Sequence, residues 1–89
     1  MTLISITNPS VDFAELSLVC QPQDSILLRQ DAVYLCTRTD INWPTAKLYA
    51  LDVDVQVRKL SALPAFSVIK AERWVELCVA AKVNVLWQS

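Results

Sequence analysis

The stretch LLRQDAVYLC, residues 27–36, decides how this chain folds. Its first apolar run stops at residues 29–31 (RQD), and apolar residues then resume as far as Cys36. The pattern predicts a buried strand and then a short helix over about residues 32–37, with Asp31 as the cap that accepts amide hydrogens of the first turn. Alternatively, the strand delivers the Asp31 carboxylate and the Cys36 thiol to a catalytic site.

The same alternation of strand and helix extends in both directions from this stretch. The predicted strands cover residues 3–6, 25–28, 47–51, 65–69 and 83–86, and the predicted helices cover about 13–20, 32–37, 53–60 and 71–81. Apolar runs without strict alternation suit strands that are covered on both faces. The sequence therefore predicts a single α/β domain over residues 1–89, with a parallel sheet of about five strands, right-handed crossovers and helices on both faces.

The composition indicates a subunit of a larger assembly. Hydrophobic residues make up 54% of the 89-residue chain and charged residues 19%. A domain of this size cannot hide so much apolar surface alone, so we expect some of it to be buried against partners; an unusually apolar monomer is the alternative. The net charge of −1 and the scattered lysines and arginines predict no direct binding of nucleic acid.

Several absences narrow the function further. The chain has no histidine and no glycine, which removes the commonest general base and metal ligand and any glycine-rich phosphate loop. Its three cysteines show no CxxC spacing, so we expect reduced thiols, no zinc and no other cofactor. No apolar run approaches 18 residues and no secretion signal is recognisable, so we expect a cytoplasmic protein without a membrane segment.

Three aspartates stand where helices are predicted to begin. Asp12 has Glu15 three residues later, which is the spacing of a capping box. Asp31 and Asp52 each follow a strand and could form a pair of catalytic carboxylates. We favour capping for both, because no third polar group accompanies them.

The cysteines and large aromatic residues supply the remaining candidates. Cys20 and Cys36 are weak candidates for an accessible, persulfide-carrying thiol, whereas Cys78 lies on the apolar face of the last helix and is expected in the core.

Trp74 is assigned to the core or to a contact between helices. Tryptophan is common at interface hot spots, and the residues predicted to contact other subunits are Tyr34, Trp43 and Trp87.

Three segments together resemble the TusB/DsrH family. They are residues 24–34 (DSILLRQDAVY), 48–55 (LYALDVDV) and 83–87 (VNVLW). Members of that family typically show a segment like LLLLQDGVYA, then VYALxxDLxARGL, then a final VxxW, and the resemblance covers nearly the whole chain. It implies a small flavodoxin-like (DsrEFH-like) parallel sheet.

The resemblance also implies a subunit of a sulfur-relay complex. TusB-like proteins assemble with TusC-like and TusD-like subunits into a heterohexamer with two copies of each. That complex takes persulfide sulfur from a TusA-like donor and passes it through a TusE-like carrier towards 2-thiouridine at the wobble position of tRNA. Because the accepting cysteine belongs to the TusD-like subunit, the resemblance implies a structural, non-catalytic role here.

Two other functions remain open at this point. One is a DsrH-type subunit for sulfur oxidation that carries persulfide on Cys20 or Cys36. The other is a stand-alone α/β binding module unrelated to sulfur.

The chain departs from the family pattern at three positions. Ala32 and Lys59 stand where the family has glycine, so the turns there must differ if those glycines have a positive φ. Some DsrH-type members carry a functional cysteine in the first helix, and that position falls near Leu16 in this sequence.

Overall fold

The computed structural model describes residues 1–87, which alternate strands and helices in the predicted order. The strands are β1 (Thr2–Ile6), β2 (Ser25–Leu28), β3 (Leu48–Leu51), β4 (Phe66–Ile69) and β5 (Val83–Trp87). The helices are α1 (Phe13–Val19), a 3₁₀ helix (Gln30–Thr37), α2 (Asp52–Val57) and α3 (Ala71–Ala80). The predicted bounds differ from these by a residue or two, except that α2 ends three residues early.

The five strands form one parallel sheet in the order β4-β3-β2-β1-β5. The predicted parallel α/β fold is therefore confirmed. Ile4 in β1 pairs with Ile26 of β2 on one side and with Val85 of β5 on the other. The strand order reverses direction between β1 and β5, and this is the place where open α/β sheets bind ligands.

Helices cover both faces of the sheet, as predicted, but they do so unequally. The larger core lies under α1, the 3₁₀ helix and α2, and it includes Leu16, Val33 and Val55. The smaller core lies under α3 alone and is built from Leu3, Leu27, Ile69 and Leu77. One ten-residue helix therefore covers a face that is five strands wide, and part of that face stays open.

Helix α2 ends in a left-handed residue that is not glycine. Lys59 has φ 53°, its N–H donates to the carbonyl of Gln56 at 3.0 Å, and the N–H of Leu60 donates to the carbonyl of Val55 at 3.1 Å. These two bonds define a Schellman motif, in which the left-handed position usually holds glycine because a Cβ is unfavourable there. By contrast, Ala32 lies inside the 3₁₀ helix without a positive φ.

Lys59→Gly should therefore stabilise the chain. Glycine removes the strain of the left-handed conformation, but it also gives the unfolded chain more entropy. The net effect should be a rise of about 0.5–1 kcal/mol in the free energy of unfolding. Urea denaturation measures the change, and Lys59→Ala is the matched control because it removes the same side chain but keeps the Cβ. Equal effects of the two substitutions would contradict the explanation.

Asp24 fixes the start of β1 against the loop that precedes β2. Its carboxylate accepts hydrogen bonds from the backbone N–H groups of Gln21 (3.0 Å) and Thr2 (2.9 Å), and the residue is buried. These two backbone donors hold the pKa of the carboxyl below its ordinary value. A lowered pKa in the folded state means that the ionised carboxylate stabilises the fold.

Asp24→Asn should lower the free energy of unfolding by about 1 kcal/mol at neutral pH, because an amide oxygen can replace only one of the two acceptor oxygens. The carboxylate's contribution is complete above the ordinary aspartate pKa and is lost as the pH falls through the lowered value. The difference between variant and wild type should therefore shrink below about pH 4. Denaturation curves at a series of pH values test this, with Glu76→Gln, at an exposed position of α3, as a control that should change little. A difference independent of pH would show that the charge is not involved.

Of the three predicted caps, only Asp12 is confirmed. Its side chain accepts a hydrogen bond from the backbone N–H of Glu15 at 3.1 Å. The cap predicted at Asp31 is wrong because the 3₁₀ helix begins at Gln30, two residues earlier than predicted, so Asp31 lies inside its first turn. The cap predicted at Asp52 is wrong because Asp52 is itself the first residue of α2 and lies inside the turn that it was expected to cap.

Candidate functional site

The two carboxylates that might have formed a catalytic pair are bound to different partners. Asp31 pairs with the guanidinium of Arg58, with Oδ1 to Nη2 at 2.8 Å, while the Asp52 carboxylate accepts from the side-chain amide of Gln56 at 2.9 and 3.0 Å. Among residues 1–87, no group of three or more acidic, cysteine or histidine side chains could hold a metal. The structure thus assigns both carboxylates to contacts within the chain.

Two of the three thiols lie inside the larger core. Cys20 is 5% exposed and Cys36 is fully buried. Burial raises the pKa of both thiols, and the nearby charge of Asp24 raises that of Cys20 further. Since the thiolate is the nucleophile, these environments disfavour the reactive form of both thiols in the folded chain.

Cys78 has the most accessible thiol position of the three. It packs on the smaller core beneath α3, as the apolar spacing of the helix predicts, yet it is only half-buried. It also lines an open cavity of about 270 Å³ together with Ser5, Arg29, Trp74, Asn84, Val85 and Leu86. The expectation that Cys20 and Cys36 are more accessible than Cys78 is therefore wrong.

The cavity lies between α3 and the adjoining strands β1 and β5. Ser5 and Leu86 are paired residues of those strands, and Trp74 and Cys78 stand one turn apart on the helix above them. Asn84 donates from Nδ2 to the carbonyl oxygen of Cys78 at 3.1 Å, which ties the end of the helix to the edge strand. The cavity thus lies on the α3 face of the sheet, alongside the two strands between which the strand order reverses.

Arg29 gives the cavity its charge. It follows β2 directly, and its backbone N–H donates to the carbonyl of Ile6 at 2.9 Å. Its guanidinium carbon lies 4.3 Å from the ring centroid of Trp74, a cation–π distance. Arg29 is the one charged side chain among the described residues that line the cavity, so the cavity favours anions.

A second open cavity lies between α1 and residues 38–42. It is lined by Phe13, Ala14, Ser17, Arg38, Asp40, Ile41 and Asn42. Arg38 donates from Nε to the Asp40 carboxylate at 3.0 Å, and this hydrogen bond holds the pKa of Asp40 below its usual value. The two charges neutralise each other, and the hydroxyl of Ser17 in the lining donates to the carbonyl oxygen of Phe13 at 2.8 Å.

The three predicted interface residues differ in their surroundings. Trp43 packs within the chain, with its ring edge-to-face against Phe13 and Phe66. Tyr34 is 47% exposed beside Arg58, and Trp87 is half-buried against the larger core. Their contacts with other subunits stay predictions.

Much apolar surface remains exposed, as the composition predicts. Large hydrophobic side chains reach solvent from all three α-helices and from both edge strands. They are Leu18, Val19, Val53, Val57, Val68, Val75, Val79, Val83 and Leu86. Exposed apolar surface of this kind is typical of proteins that bind partners, and assembly of this chain stays a prediction.

The fold and the cavity define a small parallel α/β domain in which a half-buried cysteine and an arginine line the same cavity. None of the helices formed by residues 1–87 is long and apolar enough to cross a membrane. A comparison with curated proteins found no match. The sequence profile of the family described as DsrH like protein matches residues 8–84, which is most of the chain. The chain therefore belongs to the DsrH-like family, a family of sulfur-relay proteins.

Proposed function

We propose that this chain is the TusB-type subunit of a cytoplasmic sulfur-relay complex that passes persulfide sulfur towards 2-thiouridine at the tRNA wobble position. The observation that carries the proposal is the match to the DsrH-like family over residues 8–84. The subunit itself is structural rather than catalytic. The burial of Cys20 and Cys36 supports this role, since a relay thiol must meet its donor.

The partners in this proposal are TusC-like and TusD-like subunits, with two copies of each subunit in a heterohexamer. A TusA-like donor and a TusE-like acceptor act on the complex from outside. The exposed apolar residues of α1, α2 and α3 support a chain that contacts more than one neighbour. The absence of a basic stripe supports an indirect role towards tRNA.

The residue at position 16 supports tRNA thiolation, rather than sulfur oxidation, as the function of the complex. In some DsrH-type members a functional cysteine occupies about this position, whereas here the position holds a fully buried leucine. A persulfide at this point of α1 would be enclosed by the larger core. The alternative of a DsrH-type carrier that uses Cys20 or Cys36 meets the same obstacle, because both thiols are buried.

The test is the native mass of the tagged protein purified from its own cells, with its companions identified by peptide mass. The expected result is one species that contains two other small α/β subunits in amounts equal to the tagged chain. An unrelated tagged α/β protein from the same cells controls for adventitious binding. A lone protein or a homo-oligomer would contradict the proposal.

A further inference from the structure

We propose that the cavity beneath α3 and its rim form a docking surface for a companion subunit, which inserts an apolar segment that carries one carboxylate. The rim consists of the exposed side chains Val75, Val79 and Leu86, and Arg29 lies in the cavity to pair with the carboxylate. The inference rests on the proposed function for the existence of a companion, and it adds the place and the chemistry of one contact. The contact needs no reactive thiol on this chain, in keeping with a structural subunit.

The first support is apolar surface on α3 that the chain leaves uncovered. Trp74 and Cys78 stand one turn apart and line the cavity, whereas Leu77, on the other side of that row, is buried in the smaller core. The residues that follow them, Val75 and Val79, form a second row, turned by about 100° around the helix, and both are exposed. The second row therefore continues the wall of the cavity outwards as apolar surface.

The opposite wall of the cavity belongs to the edge strand β5. Leu86 is paired with Ser5 of β1, both residues line the cavity, and Leu86 is exposed. Beyond β5, the sheet described for residues 1–87 has no further strand. Residues 83–87 (VNVLW) also lack the charged residues and prolines that commonly protect an edge strand from contact with other chains. The cavity thus opens between two apolar walls that another chain can cover.

The second support is charge. Arg29 is the one charged side chain among the described residues of the lining, and Ser5 and Asn84 add a hydroxyl and an amide that can donate hydrogen bonds. The face of the Trp74 ring restrains the guanidinium without neutralising its charge. A carboxylate complements this set of donors, because arginine and a carboxylate form short, charge-assisted hydrogen bonds. The occupant of the cavity is therefore acidic at its tip and apolar around it.

The third support is the kind and size of the site. Tryptophan and arginine are the residue types that most often dominate the energetics of protein interfaces, and Trp74 and Arg29 are in contact here. The cavity of about 270 Å³ lies below the usual range of about 300–1,000 Å³ for small-molecule sites. It suits a single inserted side chain better than a free ligand.

The shape of the surface favours a different chain over a second copy as the occupant. A two-fold contact through this surface would set the same cavity against itself. The core of a stable interface is packed as densely as a protein interior, and two concave surfaces leave each other unfilled. The described lining also offers no carboxylate to the Arg29 of a second copy. The occupant is therefore a companion with a convex, acidic segment.

The test is a photo-cross-link made in the protein's own cells, with benzoylphenylalanine in place of Val79. The Val79 side chain is 80% exposed, so the replacement leaves the core intact. The matched control carries the same probe in place of Ala80, which is also exposed but lies on the side of α3 away from the cavity row. The expected result is a cross-link from position 79 to one companion, within an apolar segment that contains an acidic residue, at least tenfold stronger than from position 80. A cross-link to another copy of this chain, or equal yields from the two positions, would overturn the proposal.

Charge reversal tests the role of Arg29. Arg29→Glu should lower the amount of companion that co-purifies at least tenfold, because two carboxylates then meet in the cavity. Arg73→Glu is the matched control, because Arg73 is an exposed arginine of α3 outside the cavity lining. Since Arg29→Glu also removes the contact with Trp74, a second change separates charge from packing: arginine in place of the companion's cross-linked acidic residue should restore co-purification. Full recovery of the companion with Arg29→Glu alone, or no restoration by the charge swap, would overturn the pairing.

The outcomes also separate this inference from the proposed function. If TusC-like and TusD-like companions co-purify but the probe at position 79 joins neither of them, this inference fails and the proposed function stands. If the probe joins a companion of another kind through an acidic, apolar segment, the proposed function fails and this inference stands. A chain without companions would contradict both.

Discussion

Replacing Trp43 with alanine should lower the free energy of unfolding of the isolated chain by about 3 kcal/mol. The Trp43 ring lies edge-to-face between two phenylalanines, with its centroid 5.4 Å from Phe13 and 5.6 Å from Phe66. The planes are inclined by 90° and 83°, which is the favourable geometry for aromatic pairs. The residue thus joins a long loop to α1 and β4, and truncation would leave a void among all three.

Urea denaturation of the purified chain measures this loss, and Trp43→Phe is the control variant. It should cost clearly less than the alanine variant because it retains an aromatic ring in the same place. The experiment also tests the sequence-based hypothesis that Trp43 contacts another subunit. An alanine variant as stable as wild type would show that the ring acts mainly outside the chain, contrary to the packing described above.

Leu16→Ala should cost about 3 kcal/mol, the usual loss for a leucine truncated inside a core. Leu16 is the fully buried residue of α1 and packs against the strands of the larger core. Leu18→Ala provides a matched control on the same helix, since the Leu18 side chain is 85% exposed. Its removal should change the stability by less than about 0.5 kcal/mol.

The same denaturation assay decides this prediction. Equal losses of stability in Leu16→Ala and Leu18→Ala would contradict the orientation of α1, in which Leu16 faces the core and Leu18 faces solvent. The orientation matters for function because the first-helix cysteine of some DsrH-type members aligns near Leu16. A thiol introduced by Leu16→Cys should accordingly resist alkylation in the folded chain and react only in urea.

The element order and the parallel sheet could be predicted because they depend on local patterns. Residues 25–28 are all buried, as expected for a strand that is covered on both faces. Such a strand can be predicted because it is a short run of apolar residues without alternation. The cap at Asp12 could also be predicted from a local pattern, because Glu15 follows it at the spacing of a capping box. The caps predicted at Asp31 and Asp52 were wrong because the 3₁₀ helix begins two residues earlier than predicted and α2 begins one residue earlier. Each aspartate therefore lies in the first turn instead of before it.

The cavity beneath α3 could not be predicted from local patterns. Cys78 shares a helical stripe with Trp74 and Leu77, and such a stripe ordinarily indicates core. Its partial exposure depends on the strand order, which places α3 alone on its face of the sheet beside the edge strand β5. Arg29 reaches the same cavity because β2 ends next to β1, and this neighbourhood is a property of the whole sheet.

A role of this chain in sulfur relay to tRNA predicts a change in the 2-thiouridine content of tRNA from cells that lack the chain. Nucleoside mass spectrometry of digested tRNA should show loss of most of the wobble 2-thiouridine. The wild-type chain and the Cys20→Ala variant should both restore it, because a buried thiol takes no part in the relay. An unchanged level of 2-thiouridine in the deletion strain would contradict the account.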